Sequence, residues 1–82
     1  MALIVMYDIE ENKIRNRVID ILKDYGLERI QYSVFGGELN KNMREEMVIE
    51  IKRFMRDKKG DIQVVLVNNE DFYKRIKIVE GI

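Results

Sequence analysis

The hydrophobic and polar positions in the first half of the chain predict a strand, a helix and a further strand. Residues 2–7 (ALIVMY) form a short continuous apolar run, which is typical of a buried strand. A helix is predicted next, with Asn12 as a plausible N-cap and Gly26 as its C-terminal stop. Its apolar residues recur at helical spacing on one face: Ile14, Val18, Ile21, Leu22 and Tyr25. Side chains suited to the two faces of a strand alternate over residues 28–35. This alternation predicts a strand, kinked into two short pieces, before Gly36–Gly37.

The second half of the chain predicts a helix and two more strands. Asn40 is placed to cap the helix. The predicted core stripe of that helix consists of Met43, Met47, Ile51 and Phe54. Residues 62–67 (IQVVLV) are a clear strand, residues 68–74 a turn or short helical connection, and residues 76–79 a short C-terminal strand.

This order of elements predicts one α+β domain over residues 1–82, with the ferredoxin-like βαββαβ arrangement. Two helices would cover one face of a small antiparallel sheet, and the C-terminal strand would be added to it. Residues 2–7 are apolar on both faces of the predicted sheet. In the strand at residues 62–67, Val65 and Val67 point to one face and the other apolar residues point to the opposite face. Because a soluble monomer rarely exposes such a patch, we expect a homodimer in which a second copy covers it.

Composition limits the chemistry available to the chain. It has neither Cys nor His, which excludes thiolate and imidazole metal sites, a cysteine nucleophile and a histidine base. Lys and Arg number 15, as do Asp and Glu, so any nucleic-acid binding must come from local patches. No signal peptide or membrane span is evident, which predicts a cytoplasmic protein that does not contact a membrane.

Asp8 is the first candidate for chemistry, because it is a carboxylate at the end of an apolar strand. A strand-terminal Asp that prepares a turn is the more common explanation of such a residue. A two-fold axis near the sheet would, however, bring two copies of Asp8 together, and these would need a proton or a cation between them. Mg²⁺ suits such a site, with Mn²⁺ as the alternative, and a metal there can activate water to attack a phosphodiester.

Basic residues form two further candidate groups. Arg15, Arg17 and Arg29 have guanidinium groups that match phosphate oxygens, although each taken singly is explained as surface. The densest basic stretch is residues 52–59, whose Lys52, Arg53 and Arg56 lie opposite the apolar stripe of the second helix. This face is either solvated surface or a contact for a nucleic-acid backbone. Tyr7, Tyr32 and Phe35 have the stacking chemistry for bases, and each is also explained as core or interface.

Three stretches of the chain resemble the CRISPR-associated protein two family, the small partner in CRISPR spacer acquisition. They are Tyr7-Asp8-Ile9, the run Arg15-Asn16-Arg17-Val18, and residues 25–35 (YGLERIQYSVF). The similarity is in register from the first strand to about Leu39, and length and element order agree beyond it. The resemblance implies a ferredoxin-like homodimer whose C-terminal strand can join the partner's sheet. It also implies a magnesium-dependent endonuclease acting on single-stranded RNA or duplex DNA.

Carried over position by position, the resemblance implies that Asp8 is the metal-binding catalytic acid. The implied supporting positions are Tyr7, Arg15, Arg17, Arg29, Ser33 and Phe35. An alternative within the same family is a non-catalytic DNA-binding scaffold, which bridges dimers of the CRISPR integrase, the CRISPR-associated protein one. A third reading is a toxin-like ribonuclease of the related VapD type. The sequence leaves these alternatives open, as it does the choice between RNA and DNA.

Overall fold

The computed structural model describes residues 1–81 and contains a four-stranded sheet with three helices. Ile82, the last residue of the predicted single domain, lies outside the described residues. In chain order the elements are β1 (Ala2–Asp8), α1 (Asn12–Asp24), β2 (Glu28–Gln31), β3 (Val34–Glu38), α2 (Lys41–Met55), β4 (Asp61–Val67) and α3 (Asn69–Tyr73). No helix between residues 1 and 81 is long and apolar enough to cross a bilayer.

The sheet confirms the predicted ferredoxin-like fold. Its strand order is β2-β3-β1-β4, and every neighbouring pair is antiparallel. The central strand β1 pairs Val5 with Phe35 of β3 on one side and with Val64 of β4 on the other. The first six elements therefore follow the βαββαβ order expected from the periodicity.

One face of the sheet carries the hydrophobic core, as predicted. Leu3, Val5 and Tyr7 of β1 point to this face, because alternate residues of a strand share a side. Both long helices pack here through their apolar stripes, which contribute Val18, Ile21, Leu22, Met47 and Ile51. Met43 was expected in the stripe of α2 but is 39% exposed, because it lies in the first turn of the helix and the buried residues of α2 begin one turn later, at Met47.

The helix caps follow the prediction at one helix and depart from it at the other. The Asn40 side chain accepts a hydrogen bond from the Met43 amide at 2.8 Å, which confirms the N-cap of α2. Asn12 is not a cap: Glu11 occupies the N-cap position of α1, with no side-chain capping bond. The Asn12 side chain instead accepts a hydrogen bond from Arg15, one turn further along the helix.

The predicted kink in residues 28–35 is a hairpin turn. Tyr32 and Ser33 connect β2 to β3, so the break lies within residues 28–35 as predicted, but β3 extends beyond them through Gly36–Gly37 to Glu38. A side chain at Gly36 would collide with the Ile30 side chain, and its Cβ would lie 2.9 Å from Phe72 of α3. Glycine at this position thus lets α3 pack against the sheet on the face opposite α1 and α2.

The predicted C-terminal strand at residues 76–79 is absent from the single chain. Ile76 and Ile78 are 88% and 79% exposed, and residues 75–81 follow α3 without regular structure. The reason is that a strand forms only beside another strand that supplies hydrogen-bonding partners. The prediction of a turn or short helix at residues 68–74 is confirmed by α3.

The second face of the sheet is only partly covered. Phe72 of α3 is buried over Gly36, and Ala2 is buried on the same face. Further along that face, Ile4 and Met6 are half-buried and Val65 is 41% exposed. The predicted apolar patch is therefore present but smaller than expected, because α3 takes one end of it.

Candidate functional site

Asp8 is exposed at the end of β1, on the rim of an open depression of about 450 Å³. The depression lies where β1 ends, β4 begins and the loop to α1 starts. It is lined by Asp8, Glu10, Glu11, Ile14, Lys59, Gly60 and Asp61. Four of these side chains are carboxylates and one is an ammonium group, so the depression favours a cation.

Asp61 is the site residue that the sequence reasoning missed. In the antiparallel register of β1 and β4, Asp8 is paired directly with Asp61. Side chains opposed in this way have Cβ atoms about 4.5–5.5 Å apart, and like charges there are destabilising. The available signal was that each Asp stands at the end of an apolar strand, but only the strand pairing shows that the two ends meet.

The donor set of this depression fits a hard divalent cation. Its potential ligands are carboxylate oxygens, which Mg²⁺ and Mn²⁺ prefer to nitrogen or sulfur. Within residues 1–81 no group of three or more acidic side chains is arranged to enclose a metal ion. Mg²⁺ needs only one or two carboxylates and retains several waters, so Asp8 with Asp61 satisfies its requirements.

Arg15 anchors the loop that follows Asp8. Its Nη1 donates to the carbonyl oxygens of Ile9 and Glu10 at 3.0 and 3.3 Å, and its Nη2 donates to the Asn12 side chain. These contacts fix residues 9–12, which form one wall of the depression. The Arg15 guanidinium group therefore positions the loop after Asp8 and is not directed outward from the protein.

Tyr7, Arg29, Ser33 and Phe35 come together at the turn between β2 and β3. The Tyr32 carbonyl accepts hydrogen bonds from the Tyr7 hydroxyl at 3.0 Å and from Arg29 Nη1 at 2.6 Å. The Arg29 guanidinium also lies 5.1 Å from the centre of the fully buried Phe35 ring. Ser33 contributes its backbone carbonyl to the Tyr7 amide at 3.1 Å. This network fixes the residue that precedes Asp8.

Two of the aromatic candidates are core residues. Tyr7 is 5% exposed and Phe35 is fully buried, and their ring centres lie 6.3 Å apart. Neither ring offers a face to a base in this arrangement. Tyr32, by contrast, is 75% exposed at the tip of the hairpin.

The remaining basic candidates lie on the helices, away from the Asp8 depression. Arg17 of α1 approaches Glu50 of α2, with 3.9 Å between the charged atoms. Lys52 and Arg53 are exposed on α2, and Arg56 is exposed at its C-cap. None of these four residues lines the Asp8 depression. Lys59, which does line it, was noted in the sequence only as part of the basic stretch.

Comparison with known proteins identifies relatives of this chain. The family model described as "CRISPR associated protein Cas2" matches residues 1–75. A Pyrobaculum aerophilum protein named "CRISPR-associated endoribonuclease Cas2 2" is 41% identical over 78 residues, which cover 95% of this chain and 86% of the relative. A Thermoproteus tenax protein named "CRISPR-associated endonuclease Cas1/endonuclease Cas2 fusion" is 37% identical over 95% of this chain, which spans 30% of the fusion.

The fold is shared with a solved structure as well. The crystal structure of Streptococcus pyogenes Cas2 at pH 6.5 superposes with a TM-score of 0.81 at 20% identity, covering 96% of this chain and all of the other. Fold and relatives together define a small ferredoxin-like protein of CRISPR systems. This chain belongs to the CRISPR-associated protein Cas2 family. The match favours this family over the toxin-type ribonucleases that the sequence left open.

Proposed function

We propose that this protein is a metal-dependent endoribonuclease that acts as a homodimer, with Asp8 at its centre. The observation that carries the proposal is the pairing of Asp8 with Asp61 at the rim of an open, acidic depression. Two adjacent carboxylates at a solvent-open strand end are suited to hold Mg²⁺ against a phosphodiester. Relatives that cover most of this chain are named endoribonucleases, which supports RNA as the substrate.

In this mechanism Asp8 would hold the cation, and Asp61 would supply a second oxygen ligand from the facing strand. When bound, Mg²⁺ supplies a Lewis acid that polarises a phosphoryl oxygen. Arg15 holds the wall of the depression through its loop carbonyls. The Tyr32 carbonyl, which also accepts from Arg29, holds Tyr7, the residue that precedes Asp8. Five of the six supporting positions therefore act on the segments on either side of Asp8. Tyr7, Arg29, Ser33 and Phe35 form the network before it. Arg15 holds the loop after it.

The homodimer is supported by the surface that the single chain leaves uncovered. Asp8 shares the second face of the sheet with Ile4 and Met6, because alternate residues of β1 point the same way. A second copy packed on this face would bury the patch around Val65 and bring the two Asp8 residues toward one another. The exposed residues 76–79 would become a strand by pairing with the free edge of β4 in the partner.

Cleavage of labelled single-stranded RNA and duplex DNA, with and without Mg²⁺, tests this proposal. Wild type is expected to cut RNA only when the cation is present, and Asp8→Ala is expected to be inactive. Undiminished cleavage in EDTA, or by Asp8→Ala, would show that the activity lies elsewhere or comes from a contaminant.

A second candidate function is a DNA-binding scaffold that works with the Cas1 integrase in spacer acquisition. The Thermoproteus tenax fusion supports it, because one chain there carries both Cas1 and Cas2. The exposed face formed by Lys52, Arg53 and Arg56 also supports it, since a two-fold axis would duplicate these cations for contact with DNA phosphates. Asp8 would contribute little to such binding.

The salt dependence of duplex DNA binding tests the scaffold. Affinity is expected to fall by about 0.9 log unit per log unit of salt for each phosphate neutralised. Replacing Lys52, Arg53 and Arg56 by Ala should weaken binding and flatten this slope, whereas Asp8→Ala should do neither. Equal binding by the triple variant across the salt series would show that this helix face is ordinary solvated surface.

A further inference from the structure

A second open groove begins where the Asp8 depression ends. It has a volume of about 600 Å³ and lies between the start of α1 and the end of α2. Glu11, Ile14 and Lys59 line both hollows, so the two form one continuous surface path. The groove is lined by Glu11, Lys13, Ile14, Arg17, Phe54, Asp57, Lys58 and Lys59.

The two hollows have opposite charge. The groove carries four basic and two acidic side chains, whereas the Asp8 depression carries four acidic side chains and one basic one. We call Lys13, Arg17, Lys58 and Lys59 the basic groove. A polyanion approaching Asp8 is repelled by the depression itself and attracted by the basic groove beside it.

Lys59 is the cation among the three residues that line both hollows. Among the residues that line the Asp8 depression it is the one cation, and it belongs to the basic groove as well. Its position is set by Gly60, where a Cβ would lie 2.8 Å from Ile9 Cγ1 and 3.6 Å from the Asp8 carbonyl oxygen. The backbone that carries Lys59 therefore runs directly against the end of β1.

The floor of the groove is apolar and suits the less polar parts of a nucleotide. Ile14 is half-buried there, and Phe54 is half-buried beneath Lys58, whose ammonium lies 4.4 Å from the ring centre. The Lys58 ammonium also donates to the Phe54 carbonyl at 2.9 Å, while the side chain remains exposed. The Arg17–Glu50 pair is exposed and loose at 3.9 Å, so it holds Arg17 only weakly against another anion.

We propose that single-stranded RNA reaches Asp8 along the basic groove, with Lys59 holding the phosphate next to the one that is cut. This inference rests on the endoribonuclease function proposed above and adds the path of the strand and a phosphate-binding residue. Lys59 contacts substrate equally before and during the reaction, so its contribution is to binding. Its loss therefore raises KM and leaves kcat largely unchanged.

Two measurements on Lys59→Ala test the inference, with Lys41→Ala as the matched control. Lys41 is an exposed lysine at the first residue of α2, the opposite end of that helix from the groove. The first measurement is the steady-state cleavage of a labelled single-stranded RNA with Mg²⁺. The second is binding of the same RNA by fluorescence anisotropy across a salt series, with each substitution placed in an Asp8→Asn background to prevent cutting.

Lys59→Ala is expected to raise KM about tenfold and to reduce the log–log salt slope by about 0.7, the value for one phosphate of a single strand. Lys59→Arg should restore both, and Lys41→Ala should match the parent protein. Suppose that wild type shows Asp8-dependent cleavage of RNA but Lys59→Ala has the same KM and salt slope as Lys41→Ala. The groove inference is then overturned, and the proposed function is unaffected. If no Asp8-dependent cleavage exists, the proposed function fails, and the salt slope alone decides whether Lys59 holds a phosphate.

Discussion

Asp8, the last residue of β1, lies directly opposite Asp61, the first residue of β4. Folding brings these two residues together although 52 residues lie between them in the chain, and each stands at one end of an apolar strand, Asp8 at the last position of β1 and Asp61 at the first position of β4. Without a bound cation, two like charges in this arrangement lower the free energy of unfolding. Proteins tolerate such a loss where the two residues form a functional site. This arrangement underlies the metal-dependent function proposed for the protein.

The first prediction concerns the stability of the Asp8–Asp61 pair. Asp61→Asn should raise the free energy of unfolding by about 0.2–1 kcal/mol at low salt in EDTA, because it removes a like-charge cross-strand contact. Asp8→Asn should give a similar gain, and the double variant should gain less than the sum. Urea denaturation measures all three. Additive gains would mean that the two carboxylates do not interact.

The second prediction concerns Gly60, which lets the chain pass close to the end of β1. Gly60→Ala should destabilise the fold by about 1–3 kcal/mol, because the new Cβ would lie 2.8 Å from Ile9 Cγ1 and 3.0 Å from Met55 Cε. Lys59→Ala, one position earlier and exposed, should stay within about 0.5 kcal/mol of wild type. Thermal or urea unfolding of the two variants checks this difference, and equal stabilities would contradict it.

The third prediction concerns the contact between α3 and β3. The Tyr73 hydroxyl donates to Glu38 Oε2 at 2.6 Å. This hydrogen bond to a carboxylate is the main reason that the pKa of Tyr73 is raised above its usual value near 10, and partial burial is the second reason. Because the folded state raises this pKa, the stabilising contact is fully present below the ordinary tyrosine pKa. It is lost as pH rises through the higher folded-state value.

Spectrophotometric titration of the tyrosines checks this prediction. Subtracting the curve of Tyr73→Phe from that of wild type isolates the Tyr73 phenolate. Glu38→Gln should shift that component to lower pH, because it removes the carboxylate that raises the pKa. An unchanged Tyr73 component in Glu38→Gln would show that the contact is not made in solution.

The fourth prediction concerns the residues that follow α3. Ile76→Asp combined with Ile78→Asp should dissociate the proposed dimer at micromolar concentration, because in an extended strand paired with the partner both side chains would lie on one side and be buried. Lys77→Asp is the control, since residue 77 would point to the other side of that strand. Light scattering distinguishes the forms. A wild type that is monodisperse at 9.8 kDa would contradict the dimer itself.

Local patterns predicted most of the fold, because β1, α1, α2 and β4 each carry a periodicity that needs no distant partner. Position-specific errors arose where local signals competed. Asn12 had the chemistry of a cap, but its side chain accepts a hydrogen bond from Arg15. The second piece of the kinked strand was expected to end before the glycines, whereas β3 continues to Glu38. The strand expected at residues 76–79 is absent, because these residues pair with neither edge strand of their own chain.

The candidate site was only partly predictable from the sequence. Asp8 was visible because a carboxylate interrupts an apolar run. Asp61 and Lys59 were not assigned to the site, because their proximity to Asp8 depends on the antiparallel register of β1 and β4 and on the close approach at Gly60. The arrangement of Tyr7, Arg29 and Phe35 around one turn likewise depends on the hairpin that joins β2 to β3.

The rate at which Asp8→Asn cleaves single-stranded RNA in Mg²⁺ tests the central claim most directly, with Asp61→Asn as the matched carboxylate variant. We expect Asp8→Asn to lose about 100-fold or more in rate, the scale of removing one group that stabilises a transition state. Asp61→Asn should lose less, and both variants should remain dimers by light scattering. An Asp8→Asn protein that cleaves RNA as fast as wild type would contradict the claim.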